Sequence, residues 1–284
     1  MQQTFKLVID CPDQVGLVAA VSQFLAEHDA TIVEASHHTD LQLGHFFMRH
    51  EINADSLALT KASFIDAFEP IAQQFSMNWH LTASAEKPKM AILASHESHC
   101  LIDLLHRWHT GELNCEIPCI IANHAHMEKF AEWYQVPFHF VDFKALGKNA
   151  AFKKVSELLA HYDADLTVLA RFMQILPDWL CDELAGKAIN IHHSFLPSFA
   201  GAKPYQQAYE RGVKLIGATC HYVTQDLDEG PIIEQQVIRI SHSDSAADMV
   251  RKGKDCEKTA LANGVRYHLE DRVIIHQNKT VVFA

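Results

Sequence analysis

The sequence has little positive charge and no long apolar run. Lys and Arg number 24 against 35 Asp and Glu, which gives a formal net charge of −11 at pH 7. An acidic surface repels nucleic acid, and no local basic stripe offsets it. No apolar run reaches the roughly 20 residues that span a bilayer, and the first residues lack the basic and apolar parts of a signal peptide. These absences predict a cytoplasmic protein that binds neither nucleic acid nor membrane.

Cysteine pairs with metal-binding or redox spacing are also missing. The seven cysteines are an odd number and none are spaced as C-x-x-C, which favours free thiols in a reducing compartment. The densest histidine cluster runs from His96 through Glu97 to His99, and its histidines are three apart, whereas a zinc-protease helix needs them four apart. We therefore expect no metal and no cofactor. The cluster is better interpreted as a helix start facing solvent or substrate, and its role stays open.

The first 84 residues show the periodicity of a small α+β domain. Alternating and helical apolar spacing predicts the order strand, helix, strand, strand, helix, strand. The first predicted helix follows Asp13, which could cap it, and the second predicted helix spans 56–75. This order is the ferredoxin-like βαββαβ pattern. A polar, Pro-containing stretch at 85–89 is the predicted linker to a second domain.

The turn after the first strand, Cys11-Pro12-Asp13-Gln14-Val15-Gly16-Leu17-Val18, resembles the ACT domain family. The resemblance implies an amino-acid effector bound near Asp13, Gly16 and Leu17, with the glycine allowing close approach. It also implies paired copies, and hence a homo-oligomer, either a dimer or a tetramer. An equally weighted alternative is that Gly16 only fits the helix start and the domain only holds subunits together.

Residues 90–284 predict a different architecture. Continuous apolar strands, the first at 90–94 and another at 117–122, alternate with helices, which indicates a doubly wound, mostly parallel, Rossmann-like sheet. Stretches 216–223 and 232–240 predict a closing hairpin, followed by a helix over 245–269. Ligands on such sheets bind at the carboxyl ends of the strands, so chemistry is expected there.

One strand end carries an amide and an imidazole. Asn190 and His192 are two apart in Asn190-Ile191-His192-His193-Ser194-Phe195-Leu196-Pro197, so their side chains share a face, while His193 is expected to point away. Two such groups can stabilise one oxyanion. A later loop, 224–233, holds Asp226, Asp228 and Glu229. A carboxylate there could orient His192 or a water molecule, and the residues themselves do not select among the three.

These two stretches, N-I-H-x-S-x-L-P and L-D-x-G-P-I-I, resemble the folate-dependent formyltransferase family over about 195 residues. The resemblance implies that Asn190, His192 and Asp228 are catalytic. It also implies a folate pocket at the segment 169–176, where we nominate Met173, Gln174, Ile175 and Leu176. An alternative for the apolar residues of that segment is packing in the core.

The loop after the first strand of the second domain bears on the formyl acceptor. Family members that use a phosphorylated acceptor carry glycines there, whereas this chain has Ala94-Ser95-His96-Glu97-Ser98. The acidic surface disfavours a tRNA acceptor, which leaves water. With the stretches 99–105 and 201–205, the whole chain resembles the formyltetrahydrofolate deformylase family. That resemblance implies hydrolysis of 10-formyltetrahydrofolate, with formate supplied to one-carbon and purine metabolism and the folate pool kept in balance.

Two other functions stay open. The chain could transfer the formyl group from the same folate to an amine, in which case formylated product would replace free formate. It could instead be an amino-acid sensor whose second domain only binds folate, and it would then release no formate. The combination of Asn190, His192 and Asp228 favours an enzyme over a sensor.

Overall fold

The structure is a computed structural model that describes residues 3–197 and 204–284. The chain forms two compact units. The first comprises residues up to 87 together with 270–274 and 281–284, and the second comprises 88–269 together with 275–280. No helix among the described residues has the length and apolar character needed to cross a membrane.

The first unit contains a four-stranded antiparallel sheet in the order β2-β3-β1-β4. Its elements follow the predicted order: β1 (Thr4–Pro12), α1 (Leu17–Glu27), β2 (Ile32–Asp40), β3 (His45–Asn53), α2 (Lys61–Gln74) and β4 (Asn78–Ala83). The predicted ferredoxin-like fold is confirmed. Alternate strand residues and one face of each helix form its core, where Phe24 meets Phe64 and Phe68 edge-on.

The two helices of this unit begin differently. Gly16 precedes α1 with φ +99°, a left-handed conformation that favours glycine, and no side chain caps the helix. The expected cap by Asp13 is therefore wrong, because the helix starts three residues further on. Helix α2 begins after Thr60, whose hydroxyl accepts a hydrogen bond from the Ser63 amide.

The second unit contains a seven-stranded sheet in the order β11-β10-β9-β8-β5-β6-β7. Strands β5 to β9 run parallel, and β10 runs antiparallel to both of its neighbours. The strands are β5 (Met90–Ala94), β6 (Ile120–Ala122), β7 (Phe138–Phe140), β8 (Leu166–Ala170), β9 (Ala188–His192), β10 (Leu215–Tyr222) and β11 (Ile232–Arg239). The predicted mostly parallel, Rossmann-like fold is confirmed.

Helices connect the strands of this sheet, and the longest packs against β10 and β11. They are α3 (His99–His109), α4 (Glu128–Tyr134), α5 (Phe143–Leu146), α6 (Lys148–His161), α7 (Asp178–Glu183), α8 (Pro204–Arg211) and α9 (Ala246–Leu269). Strand β6 starts later than predicted because Pro118 has no N–H to donate to a central strand. A two-stranded hairpin, β12 (Val273–His276) and β13 (Lys279–Val282), was not predicted.

Candidate active site

The site lies at the carboxyl ends of β8 and β9, in a cavity of about 870 Å³. Strand β9 pairs with β8 on one side and β10 on the other, so groups from three chain segments reach one place. Asn190, His192 and Asp228 all line this cavity. The structure therefore brings the three predicted residues together, although 36 positions separate Asp228 from His192 in the sequence.

A histidine on the neighbouring strand fixes the orientation of the Asn190 amide. His221 lies opposite Asn190 in the β9–β10 register and is buried. Its Nδ1 is 2.8 Å from the Tyr222 carbonyl oxygen, which can only accept, so Nδ1 carries the hydrogen. Its Nε2 then accepts from Asn190 Nδ2 at 3.2 Å. The second hydrogen of that amide is left to stabilise an oxyanion.

His192 and Asp228 form the charged pair of the site. His192 Nδ1 is 3.1 Å from Asp228 Oδ2, and His221 Nε2 is 3.7 Å from Asp228 Oδ1. Burial favours the neutral form of Asp228, but the contact from His192 holds the pKa of that carboxyl well below its usual range. The carboxylate is therefore charged at neutral pH and can accept a hydrogen bond from His192 Nδ1. The buried His192 Nε2 has no hydrogen-bond partner among the described residues.

A glycine, Gly230, allows the loop that carries Asp228 to pack closely against β10. A Cβ at Gly230 would overlap the Tyr222 carbonyl oxygen, so the close approach requires glycine. Asp228 itself has φ +60°, which is uncommon for a residue with a side chain. Arg171, at the end of β8, has the same φ of +60°. Strained residues of this kind cluster at functional sites, and these two lie on one cavity.

The predicted folate segment forms part of the cavity wall. Met173, Gln174, Ile175 and Leu176 all line it. Met173 and Ile175 are more than half exposed, at 58% and 55%, whereas Leu176 is buried. Core packing thus describes Leu176 but not Met173 or Ile175. The Met173 amide donates to Ser95 Oγ at 3.0 Å, which fixes the segment beside the end of β5.

A buried carboxylate that the sequence did not single out lies on the same cavity. Glu257 of α9 is 1% exposed. Its Oε1 accepts from the Tyr205 hydroxyl at 2.7 Å, and its Oε2 is 2.7 Å from His99 Nε2 and 3.2 Å from Arg171 Nε. Gly253, one helical turn earlier, has no Cβ to displace the Tyr205 ring. These contacts, after the opposing effect of burial, hold the pKa of Glu257 below its usual value.

The cluster at the start of α3 joins this network. His99 contacts Glu257, and Glu97 forms an ion pair with Lys254 of α9. His99, Cys100 and Glu257 lie close enough together to share a metal ion. Burial, however, raises the pKa of the Cys100 thiol well above its usual value, which disfavours the thiolate that a metal requires. The charge of Arg171 beside Glu257 further disfavours a cation, so this donor set fits a hydrogen-bonded network better than a metal site.

The expected effector residues lie in the first unit. Asp13 is exposed, and its amide donates to the Gly44 carbonyl at 2.8 Å. Gly16 sits at the start of α1, and Leu17 is buried in the core. Of the three, Asp13 and Gly16 are placed where a ligand could approach them directly. Residues 198–203, which include most of the stretch 201–205 used for the family resemblance, lie outside the described residues.

Sequence reasoning missed His221, Glu257 and Arg171 as site residues. His221 became a neighbour of Asn190 only through the β9–β10 register. The available signal was its position within an otherwise apolar strand, because a histidine at a buried strand position needs a hydrogen-bond partner. Glu257 carried a similar signal, since it interrupts the apolar face of a long helix.

Comparison with known proteins identifies both units. The Formyl transferase family model matches residues 88–265, and the ACT domain model matches residues 6–67. The formyltetrahydrofolate deformylase of Bacillus subtilis is 48% identical over 279 residues, which cover 98% of this chain and 93% of that protein.

Solved structures show the same relationship. The crystal structure of a formyltetrahydrofolate deformylase from Pseudomonas syringae matches with a TM-score of 0.98 at 59% identity, and covers 100% of this chain and 95% of that one. Glycinamide ribonucleotide transformylase 1 from Symbiobacterium toebii matches 70% of this chain and 95% of its own, with a TM-score of 0.67 at 27% identity. The chain belongs to the formyltetrahydrofolate deformylase family.

Proposed function

We propose that this enzyme hydrolyses 10-formyltetrahydrofolate to formate and tetrahydrofolate, and so supplies formate for one-carbon and purine metabolism. The observation that carries the proposal is the convergence of Asn190, His192 and Asp228 on one cavity. The wall of that cavity at Met173 and Ile175 is apolar and accessible, as a pterin ring requires. Met173, Gln174, Ile175 and Leu176 hold the folate in this proposal.

Asn190, His192 and Asp228 have different roles in the attack on the formyl carbon. Water attacks the carbon, and the carbonyl oxygen becomes an oxyanion. Asn190 Nδ2, oriented by His221, and protonated His192 donate to that oxyanion. Asp228 holds His192 in place through its contact with Nδ1. Each oxyanion donor of this kind is typically worth about 3 kcal/mol of barrier. The reaction proposed here uses no metal or cofactor.

The acceptor side of the cavity favours water over a phosphorylated amine. Phosphate sites at helix starts use glycine-rich backbone and unpaired cations. Here Glu97 stands at the start of α3 and already pairs with the nearby Lys254. A phosphate would have to displace the carboxylate and compete with its charge. Transfer to an unphosphorylated amine is the remaining alternative, because the transformylase relative shares the fold.

One assay separates hydrolysis from transfer. The enzyme is incubated with 10-formyltetrahydrofolate in amine-free buffer, and formate and tetrahydrofolate are measured together. Hydrolysis predicts equimolar release of both products with no added acceptor. A requirement for an added amine, with formylated amine in place of formate, would show transfer. Folate binding without release of either product would show that the second unit binds the folate but does not catalyse its hydrolysis.

We also propose that the ACT unit binds a free amino acid near Asp13 and Gly16 and joins copies of the chain into a dimer or tetramer. Exposed apolar side chains around the turn before α1 and along β2 support this pairing: Val15, Val18, Ile32 and Val33. Light scattering tests the assembly, and a monomeric mass would contradict it. A thermal-shift screen of amino acids, repeated with Gly16→Val, tests the effector.

We place the reaction in the cytoplasm. All seven cysteines are free and buried, which suits a reducing compartment. Fractionation of cells that produce the full chain would test this location.

A further inference from the structure

His193, the residue that follows β9, has no part in the mechanism described above. Its position next to His192 predicted a side chain that points away from the cavity. In the structure it lines the same cavity as Asn190 and His192. Its ring centroid is 5.1 Å from that of His192 and 6.3 Å from that of Tyr205. A water molecule bound to His193 would therefore be close to a formyl group held by His192.

The His193 ring is free to bind water. Within residues 3–197 and 204–284, no protein group forms a hydrogen bond with either ring nitrogen. Burial, followed by the charges of Arg171 and His192, lowers the pKa of His193 to about 4. At neutral pH the ring therefore carries a nitrogen lone pair that can accept a proton or hydrogen-bond a water molecule.

The buried network keeps a cation beside this histidine. Arg171 leaves β8 in the left-handed conformation and forms an ion pair with Glu257 at 3.2 Å. Tyr205 and His99 hold Glu257 in turn. Because the carboxylate is anchored on both oxygens, Arg171 is held in place, and its charge helps to keep the resting His193 ring neutral, with a lone pair available.

Hydrolysis needs a proton acceptor during the attack itself, whereas an attacking amine can lose its proton after the new bond has formed. A neutral amine attacks through its own lone pair, whereas water is a weak nucleophile that must lose a proton as it attacks. Asp228 Oδ2 is already engaged by His192 Nδ1 at 3.1 Å, so this carboxylate orients His192 and is not placed to hold the attacking water. His192 contributes one nitrogen to Asp228 and the other to the oxyanion. His193 is the remaining imidazole on the cavity among the described residues.

We propose that His193 is the general base of the hydrolysis, holding the attacking water and taking its proton. This inference rests on the proposed function. The water oxygen forms a bond to the formyl carbon while one water proton moves to the imidazole, and the carbonyl electron pair becomes the oxyanion. When the oxyanion collapses, the bond from carbon to folate N10 breaks. The proton on His193 passes to N10, and the formic acid product loses its remaining acidic proton to solvent.

The test compares two nucleophiles in a His193→Gln variant. Glutamine keeps a hydrogen-bonding group but is no base, so formate release should fall by about 10² to 10³-fold, with the KM for the folate within threefold of wild type. Hydroxylamine is a strong nucleophile that attacks without a base. Formation of formohydroxamate from the same folate should therefore remain within about threefold of the wild-type rate.

Two further variants give the comparison its controls. His126→Gln changes an exposed histidine outside the cavity and should leave both reactions unchanged. Asn190→Ala removes an oxyanion donor, so both reactions should fall together. Added imidazole should partly restore hydrolysis in a His193→Ala variant.

The outcomes are distinct. Near wild-type formate release by His193→Gln would overturn the proposal. So would a parallel loss of hydrolysis and hydroxamate formation, or a loss that imidazole does not restore, because both would indicate a structural role. Circular dichroism of each variant verifies folding, and if His193→Gln does not fold, His193→Ala with imidazole decides. If wild-type enzyme released no formate in the amine-free assay, the proposed function itself would have failed.

Discussion

Each unit of the chain holds an arginine in a network with carboxylates, and the two arginines differ in burial and in how completely their hydrogen bonds are satisfied. Arg49, in the first unit, is 1% exposed. Its nitrogens donate to the Glu34 and Glu51 carboxylates and to the backbone carbonyls of 270 and 271, at 3.0 to 3.1 Å. This network ties the C-terminal segment of the unit to β3, and it leaves no nitrogen of the guanidinium without a partner.

Arg171, in the second unit, is left incomplete. Its Nε lies 3.2 Å from Glu257 Oε2 but is not aligned for a hydrogen bond, and its Nη1 has no partner among the described residues. It also has a left-handed backbone conformation and lines the cavity. A saturated buried network stabilises the fold, whereas an incomplete one beside a cavity positions charge for chemistry.

If the charges of the second unit serve chemistry, Asp228→Asn should show the largest effect. The change keeps the size of the side chain but removes the charged acceptor that orients His192, so turnover should fall by roughly 10³-fold. The measurement is the kcat for formate release, with thermal unfolding close to wild type. Asp226→Asn, on the exposed part of the same loop, is the matched control. Near-normal turnover of Asp228→Asn would refute the assigned roles.

If Arg49 serves the fold, Arg49→Met should affect stability and not rate. The substitution removes the Arg49 hydrogen bonds to two backbone carbonyls and to Glu34 and Glu51, which keep Arg272 and Thr4 as donors, and this should cost about 3 kcal/mol of unfolding free energy in the first unit. Chemical denaturation measures this loss, and kcat per folded molecule should stay unchanged. Arg251→Ala, which removes an exposed ion pair on α9, should change neither quantity. Loss of turnover with stability retained would erase the distinction between the two arginines.

Gly230→Ala should affect both stability and rate, because the glycine seats the catalytic loop on β10. The added Cβ must push the loop away from Tyr222, at a cost of up to about 3 kcal/mol. The same shift moves Asp228 from His192, so kcat should fall at least about tenfold. Glu229→Ala is the control, since its side chain is exposed on the same loop. A fully active Gly230→Ala enzyme would mean that the loop is not positioned by this contact.

Acid should destabilise the first unit through His50. Burial, with the charge of His37, lowers the pKa of His50 to about 4. Between this value and the usual 6.5 the unfolded chain binds a proton that the folded unit does not, so stability falls as the pH drops through that range. At pH 5 the loss should be about 2 kcal/mol. His50→Gln keeps a hydrogen bond to His37 and should remove this loss, whereas His38→Gln, on an exposed position, should not.

The sequence was informative where a local pattern has one physical meaning. Alternation and helical spacing predicted β1, α1 and β3, because the periods of apolar residues depend on backbone geometry alone, and continuous apolar runs predicted the buried parallel strands. The convergence of Asn190 and His192 followed in the same way from two residues on one strand. The choice of Asp228 over Asp226 and Glu229 came from family resemblance, and its catalytic role stays a prediction.

Local pattern failed where distant segments decide the outcome. His193 was expected to point away from the site, but the chain leaves the strand after His192, so strand alternation no longer applies to it. The C-terminal hairpin went unpredicted, because its strands of four residues carry too little pattern to distinguish them from a tail.

By itself, the sequence determined the order of elements in the first unit, the two fold classes and the identities of the groups at the strand ends, since these depend on backbone period and side-chain chemistry. Only the tertiary structure decided the partners of those groups. Strand register placed His221 against Asn190, and the packing of α9 brought Glu257 to Arg171. A buried charge or imidazole derives its properties from neighbours within a few ångströms, and those neighbours lie far away along the chain.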